Sequence, residues 1–399
     1  MEKTMSDNEL ADRMMAVKLR LEKKPIEEIC QVLGRTEPWF HKWWRRYQEK
    51  GPNGLYDQTR TYVHPSRTSP DLERAIVNIR KRLASQKHPD TRYSLVGASS
   101  ILAELAALHI RPLPSERTIE RVLQRNGTTV PKVRLAPSLS KTTYPKPQTD
   151  DSNQLHQVDS VGPIYLKGNK QRYYIFTAKD VYDGGVFIKM YRSRQSDVIL
   201  DFLGEAWKNL GIPAQVQFDN AREVVGWGSA ARYLSRVLRL CLRFGVEPIL
   251  IPPGMPWWDG SVENFNSWFQ PRIFQRRYTR VSALQRELLR LQDTVNHQHP
   301  QQKLGGLTSA QYRRQHKFHK LPPSYSIPIE TVPIAAGRIT FIRQVTLSGN
   351  IHLLSQTFKV GKRLKGEYVK VILDTRHAYL TVYRQGRIFK RWPYACLKK

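Results

Sequence analysis

Acidic residues are scarce in this chain: 34 Asp and Glu stand against 65 Lys and Arg in 399 residues, a formal net charge of +31. An enzyme of small neutral metabolites has no use for such a surplus, since solubility needs a net charge of only about 2–8 for a small domain. A polyanionic partner does. Cysteine is nearly missing as well. Cys30, Cys241 and Cys396 form no CxxC pair and leave an odd count, which excludes a four-cysteine zinc site and a disulfide framework and suits a reducing compartment. No HExxH segment or Cys/His cluster occurs, so a zinc hydrolase is disfavoured. Apolar runs fall short of the roughly 18 residues that span a bilayer. Met1–Leu10 mixes acids and bases without the apolar stretch of a signal peptide. A soluble, cytoplasmic protein with no membrane partner is expected.

What is present is enough to build cores. Hydrophobic residues make up 40%, with nine Trp, 18 Tyr and 13 Phe, which argues against wholesale disorder, and the length calls for several domains. The charge is unevenly distributed: residues 1–60 carry a net +2, 61–150 carry +8, 151–300 carry +5 and 301–399 carry +16. The middle section keeps its acids inside a very basic chain, which points to carboxylates with a task. Both flanks look built to hold a polyanion.

Residues 6–50 read as three helices. Pro25 opens a segment with Ile26, Ile29 and Leu33 on one face, and Gly34 stops it. Thr36 then caps a helix whose Phe40, Trp43, Trp44 and Tyr47 cluster at three- and four-residue steps, with Lys42, Arg45 and Arg46 largely on the other face. This is the pattern of a helix-turn-helix whose second helix enters a major groove. Residues 70–126 repeat the idea. Leu72, Ala75, Ile76, Ile79 and Leu83 mark one helix, 98–108 a second, and Ser115 caps a third in which Arg117, Arg121 and Arg125 recur every four residues as a basic ridge suited to phosphates. Residues 128–150, with four prolines, read as an extended basic linker.

From Asn153 the pattern turns to strands. Three β-rich runs (154–161, 172–180, 184–192) precede a helix from about Ser196 to Leu210, a strand 214–218, a helix through Tyr233–Phe244, the apolar strand 248–251, and helices holding Glu263–Gln275 and Ser282–His297. That order predicts a mixed sheet covered by helices, of ribonuclease-H-like type. Residues 301–323 read as a second linker, and 324–399 as a small basic β-barrel that clamps DNA. The expected architecture is thus multidomain α+β: helix-turn-helix domains at 1–60 and 61–127, the linker, a core at 151–300, the second linker and the barrel.

Three acids stand at element ends in the middle section: Asp159 inside the first strand, Asp219 ending the fourth, and Glu263 entering a helix. If the first and fourth strands are neighbours, the two aspartates face one cavity and the helix delivers the glutamate. Clustered carboxylates repel unless cations neutralise them, and Mg²⁺ prefers hard oxygen ligands. Two ions about 3.5–4 Å apart serve in-line displacement at phosphorus, with Asp159 the best bridging residue. Asp180, Asp183 and Glu223 also answer to the description of a carboxylate at a strand end or turn. Trp257 and Trp258 can stack on unpaired bases or pack. His156 reads as structural.

The segments HQVDS, QFDNAREV, EPILIPPGMPWWDGSVENFN and PSERTIERVLQRNG resemble those of bacterial insertion-sequence transposases with a retroviral-integrase-type Asp-Asp-Glu core. The similarity runs over roughly residues 25 to 315 and is strongest from Val158 to Phe269. It implies that Asp159, Asp219 and Glu263 are the catalytic and metal-binding acids. It also matches Asn220 to the residue that commonly follows the second Asp, and Asn266 to the Asn one helical turn after the Glu. Further implications are Mg²⁺ or Mn²⁺ as cofactor, two ions per site, binding of transposon ends and target double-stranded DNA, a dimer or tetramer on paired ends, and a nucleoid-associated location in a bacterial cytoplasm. Two departures stand out. The Asp219–Glu263 interval is longer than in the best-known relatives, with the extra residues around Val224–Ser235, and Gln270 occupies the place of a DNA-contacting Lys or Arg, for which Arg272, Arg276 or Arg277 are the substitutes. Asp259-Gly260 also replaces a common Asn-Gly, so Asp259 is a competing ligand. The expected function is a transposase that cuts a strand to expose a 3′-OH and joins it to target DNA. The alternatives are a DNA-binding regulator on a catalytic-like scaffold and a metal-dependent nuclease that does not join.

Overall fold

Helix-terminating glycines and helix-period apolar stripes shape the N-terminal part as the sequence predicts. The structure, a computed structural model, describes residues 7–57, 68–86, 88–129, 147–219, 221–225, 232–252, 260–327 and 332–396. It forms two compact units, residues 1–67 and 68–399. In the first, α1 (Asp7–Leu21), α2 (Ile26–Leu33) and α3 (Glu37–Lys50) close around Ala16, Ile29 and Phe40. Gly34 ends α2 at φ 62°, a left-handed conformation that lets its N–H return to the last turn. Thr36 precedes α3 in extended backbone, but its side chain makes no capping bond. Trp43 is buried under the guanidinium of Arg13, 3.6 Å from the ring centroid.

The second unit opens with α4 (Pro70–Ser85), α5 (Ala98–Ala107) and α6 (Glu116–Arg125), packed through Ile76, Ile79, Leu83, Ile101, Leu105, Ile119, Val122 and Leu123. Ser69 and Ser115 cap the first and third of these helices. The three-helix body is tied to the rest of the unit by buried polar contacts. Arg92 pairs with Glu287, the Tyr93 hydroxyl donates to the same carboxylate at 2.9 Å, and the Tyr93 carbonyl is bonded by His299 Nε2 at 2.7 Å. Of the Pro-rich linker, residues 130–146 lie outside the described part.

The core follows the predicted order: β1 (Leu155–Tyr165), β2 (Arg172–Asp180), β3 (Val186–Tyr191), α7 (Ser196–Asn209), β4 (Gln215–Phe218), α8 (Arg222–Val225), α9 (Arg236–Arg243), β5 (Glu247–Leu250), α10 (Gly260–Phe274) and α11 (Val281–Gln298). β1, β2 and β3 form an antiparallel meander, while β4 joins β1, and β5 joins β4, in parallel. Period-2 alternation splits the sheet between two cores. Phe176 and Ala178 face the cluster that holds α7 and α9; Tyr173 and Ile175 face the one that holds α10 and α11.

Two sequence expectations change. The segment 301–323 is not a bare linker: it contains α12 (Ser309–Arg314), whose Arg313 pairs with the fully buried Asp180 and Asp183. The C-terminal strands also do not stand apart as a closed barrel among the described residues. β6 (Arg338–Gln344) pairs in parallel with β5, and β9 (Tyr368–Asp374), β10 (Tyr379–Arg384) and β11 (Arg387–Pro393) follow, giving one sheet ordered β11-β10-β9-β6-β5-β4-β1-β2-β3. A separate hairpin, β7 (Asn350–Leu353) with β8 (Gln356–Lys359), covers part of it. The physical reason is the edge of β5. Its backbone groups need a partner, and β6 supplies one while burying Ile339 and Phe341 in the same core as Phe218 and Trp207.

Candidate active site

The register of two parallel strands brings the aspartates together. Val158 on β1 lies opposite Phe218 on β4, so Asp159, inside β1, and Asp219, just past the end of β4, stand one residue further on at the same level of adjacent parallel strands. Both line one small cavity with Ser160, Phe176, Arg194, Ala221 and Glu223. Asp159 Oδ1 accepts from the Ser160 N–H at 2.7 Å, and Asp219 Oδ1 accepts from the Ala221 N–H at 3.0 Å. Desolvation raises the pKa of both above the usual carboxylate range. The Asp219 charge adds to the rise at Asp159, and Glu223 adds to it at Asp219, where Arg194 pulls the other way.

Glu263 arrives on α10, whose first turn is seated on the sheet by polar contacts. Gln157 and Asp159 are two apart on β1 and therefore share a face. The Gln157 Oε1 accepts from the N–H groups of Ser261 and Val262, 3.1 Å each, taking the place of an N-cap from another element. Lys179, opposite Gln157 on β2, donates from Nζ to the Ser261 carbonyl at 3.1 Å. One turn after Glu263, the buried Asn266 donates from Nδ2 to Asp159 Oδ2 at 2.7 Å. Burial raises the Glu263 pKa, and the Asp159 charge raises it further.

Among the described residues no three His, Cys, Asp or Glu side chains stand close enough together to hold a metal ion. The residues present nevertheless fit a divalent cation in kind. Asp159, Asp219 and Glu263 offer only hard oxygen donors, burial and neighbouring acids raise their pKa values, and the buried Asn266 Oδ1 beside Asp159 has no hydrogen-bond partner among the described residues.

The other predicted residues divide. Lys42, Arg45, Arg117 and Arg121 are exposed on their helices, while Arg46 leans on the Trp43 ring at 4.8 Å. Arg125 is exposed but pairs with Glu73 at 3.4 Å. Arg276 and Arg277 are exposed, whereas Arg272 stacks over Trp268 at 4.6 Å and donates to its carbonyl. Asn266 turns inward to Asp159 rather than outward. Asn220, Trp257, Trp258 and Asp259 lie outside the described residues. Asp180 and Asp183 are fully buried on Arg313, Ser152 and backbone N–H groups, and His156 is bonded to Asn153, so all three are structural. Gln157 and Lys179 were missed by sequence reasoning; their signal was the strand alternation that puts residue 157 on the face of 159.

Three segments of the chain match known domains. Residues 150–256 match the integrase core domain, residues 7–56 match a homeodomain-like domain, and residues 39–123 match a second homeodomain-like domain. Among solved structures the chain is similar to the HTLV-2 integrase catalytic core domain in complex with magnesium, at 16% identity over 40% of this chain and 95% of that one, with a TM-score of 0.30. It is also similar to the intasome protein of simian T-cell lymphotropic virus, at 12% identity over 76% and 98%, TM-score 0.35. The BIV integrase catalytic core domain matches at 15% identity over 41% and 97%, TM-score 0.31. Homeodomain-like helix-turn-helix domains ahead of an integrase core domain fit a transposase of the insertion-sequence type with an Asp-Asp-Glu core.

Proposed function

We propose that this chain binds the ends of a mobile DNA element, cuts a strand to free a 3′-OH, and joins that hydroxyl to a target phosphodiester. The observation that carries the reading is the pair Asp159 and Asp219 side by side on adjacent parallel strands, with the helix of Glu263 tied to Asp159 through Asn266. These three acids are the residues that would hold a pair of Mg²⁺ or Mn²⁺ ions. When bound, such ions supply charge neutralisation and Lewis acidity to in-line displacement at phosphorus. The chain's own residues do the positioning. Asn266 orients the Asp159 carboxylate, and Gln157 and Lys179 seat the first turn of α10, the turn that carries Glu263. Because the nucleophile of the joining step is a DNA hydroxyl, no covalent protein intermediate is needed.

The exposed cations of α3 and α6 and the +16 of residues 301–399 would hold the duplex by its phosphates. Two active sites on paired ends call for a dimer or tetramer. The test is a strand-transfer assay with labelled terminal DNA, Mg²⁺ and supercoiled target. Joined product is expected from the full chain. Substituting Asp159, Asp219 or Glu263 by Ala should remove cutting and joining by at least about a thousandfold, as loss of a group acting in the transition state does, with end binding retained. Cutting without joining would make the protein a nuclease, and retention without cutting would make it a regulator.

A further inference from the structure

An open cleft of about 430 Å³ borders the cavity of the two aspartates and has no role in the chemistry proposed for them; it is lined by Lys170, Arg172, Tyr174, Arg192, Arg194 and Glu223 with their neighbours. Lys170, Arg172, Arg192 and Arg194 are all exposed. Among the described residues only Arg194 of these four has an acidic partner, a loose 3.9 Å approach to the half-buried Glu223, which costs little to break. The cleft and the aspartate cavity share Arg194 and Glu223 in their walls. They are also joined along one face of β2, where period-2 alternation lines up Arg172 and Tyr174 in the cleft with Phe176 in the aspartate cavity. The guanidinium of Arg194 lies 5.3 Å from the Tyr174 ring centroid, which holds it at the junction.

We propose that this cleft binds the phosphodiester backbone of the DNA strand that passes the active site, with Lys170, Arg172 and Arg192 on successive phosphates and Arg194 exchanging Glu223 for the phosphate nearest Asp219. The proposal rests on the chain acting on a polynucleotide. Four cations against one carboxylate make the cleft electropositive, and an aromatic floor accepts a sugar or base face between phosphates. No base-edge reader is needed, so the cleft adds affinity without adding sequence choice.

The experiment measures binding of the full chain to two duplexes across a salt series: one carrying the DNA that flanks the coding sequence, one of random sequence. The variant K170Q/R172Q/R192Q spares Arg194 and every acid of the site, and its substituted side chains are exposed, so near-UV circular dichroism should match the parent. The slope of log affinity against log salt is expected to become shallower by about 0.9 for each phosphate that is no longer neutralised, roughly 2–3 in all. A change on the flanking duplex alone assigns the cleft to the element's own strand; a change on the random duplex added to an end-loaded complex assigns it to target DNA. An unchanged slope on both overturns the proposal. Cutting by the parent chain is scored in parallel, so a chain that binds through the cleft but never cuts defeats the transposase reading and not this one.

Discussion

Asp180 and Arg313 show at the level of single residues how a carboxylate that resembles a catalytic one can be recognised as structural. Asp180 is fully buried, accepts N–H bonds from Asn153 (2.6 Å) and Tyr182 (2.8 Å), and pairs with Arg313 at 2.8 Å. His156 and Arg313 hold its pKa below the ordinary value despite burial. Asp159, by contrast, is pushed up by desolvation and by a like charge. One carboxylate is neutralised by its neighbours; the other is not. Replacing Arg313 by Ala strands two buried carboxylates and should cost about 3–5 kcal/mol in urea-induced unfolding; a loss under about 1 kcal/mol, the range of exposed pairs, would show the cluster to be solvated. The same pairing sets an acid limit. A group whose folded pKa is depressed stabilises the protein above its unfolded pKa, and that contribution is lost as pH falls through the folded value.

Lys179 works in the opposite sense. Burial, with Lys303 nearby, brings its pKa from 10.5 down to about 8. Between those values the unfolded chain holds a proton that the folded chain has released, so the Lys179 contribution to stability rises with pH from about 8 toward 10. The variant K179M should flatten that rise in a pH series of denaturant midpoints. An identical pH dependence in parent and variant would contradict the assigned shift.

Among elements, α10 is the one whose placement decides the site. Its apolar residues Phe265, Phe269 and Ile273 bury against the sheet and α11, which fixes its face, but the height of its first turn is set by Gln157. Removing that acceptor in Q157A leaves two N–H groups without a partner, at a cost of about 1–3 kcal/mol. Cutting activity should fall well beyond the loss in folded fraction, because Glu263 follows directly. Equal losses of activity and folded protein would reduce Gln157 to a packing residue. The helices of the N-terminal half were legible from periodicity and capping residues alone: Gly34 ends α2, Ser115 caps α6, and the apolar spacing of α4 predicts its buried face. The seat of α10 was not legible, since it depends on which strand residue lies opposite its first turn.

For the whole molecule, the nine-stranded sheet changes what a domain boundary means here. Phe341, Val371, Leu373, Leu380 and Val382 have no exposure and share a core with Phe218 and Trp207. Each such side chain is worth about 1.5–3 kcal/mol of burial, so five rival a typical net stability of about 5–15 kcal/mol. A chain ending at residue 331 should lose cooperative unfolding and aggregate, whereas one starting at residue 68 should keep its melting transition, the first unit being compact by itself. A soluble, cooperatively folded 68–331 fragment would contradict the shared core.

The sequence by itself determined the chemistry on offer: a polycationic chain, helix-turn-helix spacing in two places, and three carboxylates at the ends of predicted elements. These are local properties, written in charge, periodicity and punctuation. Tertiary structure decided which groups meet. Strand register placed Asp159 beside Asp219, alternation turned Gln157 toward α10, and an unsatisfied strand edge drew the C-terminal strands into the core sheet. Such meetings depend on pairing between segments tens of residues apart, where the free energy of burying a face and satisfying backbone groups is settled by the whole fold.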